Sequence, residues 1–138
     1  MDPNNEVVKL CVEGMGAEQE GRFADARALF ERAWAAHGDD FEACIAAHYL
    51  ARQQDSDQDK LAWNEEALRR ADAVADERVS GFYPSLLLNL GHSHETLGAL
   101  DEARRYYTLA ADRLDELSED RYGGIVRDGL ARAKERIG

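Results

Sequence analysis

The four histidines and two cysteines are the residues of this chain with most scope for chemistry. His48 or His92 would move a proton if Glu95 or Tyr49 stood beside it in a closed pocket, because an imidazole titrates near neutrality and a carboxylate or phenol can orient it. His92 and His94 lie two positions apart, about 200° around a helix, so a single regular helix cannot bring both to one ion. A metal site built from Cys11, His48 and His92 would need three separate helices to converge, and no close ligand spacing supports it. The chain carries no phosphate loop, nucleophile elbow, dinucleotide fingerprint or paired metal motif. Binding without a cofactor, a metal or a catalytic residue is the expectation.

Seven helices are expected to position these residues, with few residues left for loops. Helices over 5–20 and 24–37 are separated by Gly21 and stopped by Gly38, where a positive φ is cheap only for glycine. Asp39 and Asp40 open a third helix that runs to about Gln54, and Asp55-Ser56-Asp57 breaks it before a fourth over 58–75. Pro84 suits the first turn of a fifth helix, entered over 80–83 with its body at 86–97. Gly98 breaks the chain again, a sixth helix runs from Asp101 to Leu117, and Ser118 caps a last one reaching Ile137. Gly123, Gly124 and Gly129 weaken that last helix, and close packing against the sixth explains them better than a hinged flap. Trp34, Trp63, Tyr106, Tyr107 and Tyr122 are core by helical spacing, whereas Phe82-Tyr83, just before Pro84, is a place where a second copy would pack.

A pattern of small and large residues recurs along these helices. Leu10, Gly14, Gly21, Phe23, Ala26, Phe30 and Ala33 match Leu87, Gly91, Gly98, Leu100, Ala103, Tyr107 and Ala110 without an insertion. A looser copy, Leu50, Ala51, Leu61, Asn64, Leu68 and Ala71, lies between them. Three copies at such a period signal stacked repeats, none of which buries its apolar face alone. The pattern resembles the tetratricopeptide repeat. It departs from that family in a longer step between copies, against the usual repeat of about 34 residues, in Asn64 at a small-residue position, and in Asp59 where the middle copy should have a turn glycine.

The resemblance implies an all-α, right-handed superhelix in one domain over 1–138, with repeats at about 5–38, 39–76 and 80–117 and a C-terminal closing helix over 119–137. It also implies that the first helix of each repeat lines a concave groove for a peptide or protein. The inward positions would then be Val8, Cys11, Met15 and Glu18; Ile45, His48, Tyr49, Arg52 and Asp55; and Ser85, Leu88, Asn89, His92 and Glu95. The ligand-contacting set expected from these is Cys11, Met15, His48, Tyr49, Arg52, Leu88, Asn89, His92 and Glu95. Family members that grip a peptide carboxylate use lysines, an arginine and asparagines there. Cys11 and Met15 stand in place of two of those, and His48, Arg52 and Asn89 form a partial equivalent with Arg52 as anchor. The alternatives kept beside this reading are a small-molecule or metal-binding protein using the groove histidines and a self-associating homodimeric scaffold.

Composition narrows the partner. A net charge of -11 repels a polyanion at long range, so nucleic acid is disfavoured. Arg69-Arg70 and Arg104-Arg105 follow Glu65, Glu66, Asp101 and Glu102 at helical spacing and read as surface ion pairs. No apolar run approaches the length of a membrane span and the first residues are acidic, so a cytoplasmic protein with reduced cysteines is expected. The excess of arginine over lysine fits a GC-rich bacterial genome.

Overall fold

Side-chain capping sets most of the helix starts. In the computed structural model, which describes residues 2–117 and 119–138, Asn5 opens α1 (Glu6–Gln19) by accepting from the Val7 and Val8 N–H groups at 2.9 and 3.1 Å. Asp39 caps α3 (Asp40–Ala51) in the same way, and Ser56 accepts from Asp59 N–H in the first turn of α4 (Asp57–Val74). Each such bond satisfies an N–H that the helix itself leaves open, at roughly 1 kcal/mol. The remaining helices are α2 (Phe23–Ala36), the single turn α5 (Glu77–Ser80), α6 (Tyr83–Thr96), α7 (Leu100–Ala111) and α8 (Arg121–Ile137). A 3-10 turn at Leu114–Glu116 follows α7, and the described residues contain no strand.

Neighbouring helices pack in pairs: α1 with α2, α3 with α4, and α6 with α7. The chain divides into two compact units, Met1–Val74 and Ala75–Gly138. In the first, α2 and α1 also touch α3, and Asn5 Nδ2 donates to Glu42 Oε2 at 2.7 Å to tie the start of α1 to α3. In the second, α8 packs against both α6 and α7.

One lock closes a hairpin in each unit. Gly14 on α1 leaves space that the fully buried Phe30 ring of α2 fills, and a Cβ built at Gly14 would collide with that ring. Gly91 on α6 faces Tyr107 of α7 in the same manner, its built Cβ lying 2.5 Å from the ring. The matching turns at Gly21 and Gly98 both take a positive φ, 78° and 84°.

Several sequence expectations need correction. Gly38 does not use positive φ; α2 ends at Ala36, with His37 following in extended backbone, and the left-handed residue after α4 is Ala75, at φ 51°. Asp59 replaces no turn glycine, since it lies inside α4, and α3 ends at Ala51 rather than near Gln54. The sixth helix stops at Ala111, and the stretch before Pro84 forms α5 as a separate turn capped by Asp76. The assignment of a cap to Ser118 lies outside the described residues; Asp120 caps α8 by accepting from Gly123 N–H at 3.0 Å. Asn64 is buried on α4, as are Ala67 and Ala71. The basic pairs do sit on helix ion pairs: Arg69 and Arg70 with Glu66, Arg104 with Asp101, and Arg105 with Glu102. No described helix is long and apolar enough to cross a membrane.

Candidate functional site

The first unit gathers part of the expected ligand set on α1 and α3. Glu18, in the last turn of α1, has a side chain only 10% exposed, and its Oε1 accepts from Arg52 Nη2 at 2.9 Å. Its other oxygen accepts from Gln53 Nε2. The Arg52 guanidinium also lies over the Tyr49 ring, 5.5 Å from its centroid, while Tyr49 stacks on Phe30 at 5.2 Å. Phe30 therefore serves the hairpin lock on one side and supports this face on the other. Met15 is half-buried on α1. Arg52, the expected carboxylate anchor, is half-exposed and already shares its charge with Glu18.

His48 packs edge-on to Tyr49 at 5.1 Å, and its Nδ1 is enclosed with no hydrogen-bond partner among the described residues. Burial first, and the Arg52 charge second, push its pKa down to about 4, so the ring is neutral near pH 7. Cys11 departs from its expected place on an open groove. It is 2% exposed, and burial lifts its thiol to about 12. Cys44, also buried on α3, is raised to about 12 by burial and then by the Asp72 charge.

The second unit holds Leu88, Asn89, His92 and Glu95 on α6, and α8 lies over part of that stripe. Arg136 Nε donates to Glu95 Oε2 at 2.9 Å and its Nη2 to Glu95 Oε1 at 3.0 Å, a two-pronged grip of the kind that strengthens a charged pair. Tyr107 donates its hydroxyl to Glu95 Oε1 at 2.7 Å, and Arg136 Nη2 also lies 3.1 Å from His92 Nε2. Arg136 above all, and Tyr107 after it, hold the Glu95 carboxyl down at about 2, against its burial; burial and then Glu95 raise the Tyr107 phenol. Leu88 sits against Gly129 of α8, where a built Cβ would approach its Cδ2 to 3.0 Å. Asn89 is half-buried and His92 exposed. His94 stacks on Tyr106 at 5.3 Å with nearly parallel rings. Tyr83 is 9% exposed beneath the Arg113 guanidinium and Phe82 is half-buried, so this pair is not an open aromatic patch.

No family model, curated protein or solved structure matches this chain.

The structure thus brings Tyr49 and Arg52 together with Glu18, with His48 against Tyr49, and separately joins His92 and Glu95 through Arg136. Sequence reasoning missed Gln53, Tyr107 and Arg136 as members of these clusters. The Tyr107 contact was open to inference, because Glu95 precedes it across the short turn at Gly98. Arg136 was not, since its partner is 41 residues away and no local spacing links them. Among the described residues, no three His, Cys, Asp or Glu side chains are placed to hold one metal ion.

Proposed function

We propose that this chain is a non-catalytic cytoplasmic adaptor of tetratricopeptide type, wound as a right-handed superhelix, that holds a peptide segment on the α1 and α3 face of its first unit. The observation that carries this reading is the shared lock, Gly14 with Phe30 and Gly91 with Tyr107, because small-against-large packing at matched repeat positions is the physical content of the resemblance. The peptide site is assigned to Met15, His48, Tyr49 and Arg52, which offer apolar contact, an aromatic ring and a half-exposed cation on adjoining helices. A peptide with an acidic or carboxylate group would join or displace Glu18 at Arg52. The α6 stripe is the lesser candidate, because Arg136 and the α8 backbone at Gly129 already engage Glu95, His92 and Leu88. Burial raises the Cys11 and Cys44 thiols to about 12, so neither is a ready nucleophile near neutral pH.

Co-purification from a bacterial lysate with the wild-type chain and a Met15→Glu, Arg52→Ala variant tests the assignment, with circular dichroism confirming that the variant keeps its helices. A protein enriched by wild type, whose peptide binds in calorimetry and loses ~10-fold or more affinity with the variant, is the expected result. Equal enrichment by both baits removes the α1 and α3 face as the site.

A further inference from the structure

The last turn of α8 is held on α6 by a contact that only one protonation state of His92 permits. Arg136 Nη2 carries two N–H groups, and it lies 3.0 Å from Glu95 Oε1 and 3.1 Å from His92 Nε2. A guanidinium donates and never accepts, so His92 Nε2 must keep its lone pair for that contact to be a hydrogen bond. The His92 ring is exposed, so solvent protons reach it. Histidine is the side chain whose charge ordinarily changes between pH 5 and 8. Once Nε2 gains a proton, the contact sets donor against donor and positive charge against positive charge.

Three helices present titratable or charged groups to this ring. Glu95 stands one turn further along α6, Arg136 reaches in from α8, and Tyr107 of α7 lies edge-on with the ring centroids 6.5 Å apart. The Tyr107 hydroxyl donates to Glu95 Oε1 at 2.7 Å and its phenol is raised by burial, so it stays neutral through this range. Glu95, held down at about 2, stays ionised. His92 and Arg136 are therefore set around one carboxylate. A neutral His92 gives Arg136 a second acceptor, whereas an imidazolium three residues before Glu95 on the same helix is spaced to take that carboxylate as its own ion-pair partner.

We infer that His92, Glu95 and Arg136 form a proton-released latch: neutral His92 helps Arg136 hold α8 on α6, and protonated His92 takes over Glu95 and lets α8 go. Release uncovers Leu88 of α6, which lies against Gly129, together with Val126, Leu130 and Ala133 of α8. Arg104 Nε also ties α8 through the Ile137 carbonyl at 2.8 Å, and Arg127 Nη2 through the Leu114 carbonyl at 3.3 Å, but neither bond titrates in this range. The latch belongs to the second unit and does not depend on the peptide site proposed on the first.

Amide hydrogen exchange of the full chain at pH 7.5 and 5.5 tests it, at one ionic strength and corrected for the intrinsic pH dependence of exchange. Free α8 carries Gly123, Gly124 and Gly129 and is a poor isolated helix, so its amides report undocking. Acidification should lower α8 protection by roughly 3- to 10-fold, the span expected if His92 binds a proton up to tenfold more tightly with α8 free. Protection in α6 and α7 should hold, because the lock of Gly91 with Tyr107 joins those two helices. His92→Gln keeps an acceptor for Arg136 at every pH and should make α8 protection independent of pH. His92→Lys should show weak α8 protection already at pH 7.5. Wild-type α8 protection that is flat or rises on acidification, the same fall in His92→Gln, or a fully protected α8 in His92→Lys overturns the inference.

Discussion

His48 shows how one side chain couples burial to pH. Its folded pKa of about 4 lies below the ordinary value of 6.5, so between those values the unfolded chain binds more protons than the folded one. Stability from this group is full above pH 6.5 and is lost as pH falls toward 4. Thermal melts should show Tm dropping between pH 6.5 and 5, before most carboxylates titrate, with a slope of at most ~1.4 kcal/mol per pH unit. His48→Phe should flatten that slope; an unchanged profile would mean that His48 is solvated. Glu95 acts in a lower window, because its depressed pKa withdraws stability only as pH falls from 4.5 toward 2. The sequence made His48, Arg52 and Glu95 conspicuous as polar residues at helical spacing. It could not disclose that Arg52 is claimed by Glu18 or Glu95 by Arg136, because each pair is made by helices far apart in the chain.

At the scale of the element, glycines in helices have opposite roles that only packing distinguishes. Gly91→Ala forces a methyl into the Tyr107 ring and should cost ~1–3 kcal/mol. Gly16→Ala, also helical but with nothing near its built Cβ, should gain up to ~1 kcal/mol. Urea melts of both variants check the contrast, and two changes of the same sign would contradict the packing. Ala75 offers a third case: an alanine in the left-handed region costs ~1 kcal/mol, so Ala75→Gly should raise the urea midpoint slightly despite glycine's greater freedom when unfolded. Most helix starts and the turns at Gly21 and Gly98 were legible in the sequence because capping and positive φ are local; Gly38, read the same way, stays out of the left-handed region. The end of α7 and the isolated turn α5 were not, since no glycine or proline marks where α7 gives way to a 3-10 turn, and Pro84 alone does not distinguish a helix start from an extended lead-in.

For the molecule as a whole, α8 is the basic element of an acidic chain: Arg121, Arg127, Arg132, Lys134 and Arg136 stand against Asp128 and Glu135. Its attachment to α6 and α7 therefore has a Coulomb component carried by half-exposed groups such as Arg136, which salt screens over ~10 Å at 0.1 M. Amide hydrogen exchange in α8 should quicken between 20 mM and 500 mM NaCl while α3 and α4 hold their protection; uniform rates across the chain would show that apolar contact alone retains α8. The hairpin lock, present once in each unit, bears on how such a chain can change over generations. Neither Gly14 nor Phe30 can be replaced by itself without a clash or a void, so the two positions are bound to one another as mutations accumulate, and Gly91 is bound to Tyr107 likewise. A larger residue on α1 becomes tolerable only once the ring on α2 has shrunk, and a lineage reaching that state must pass through a less stable ancestor.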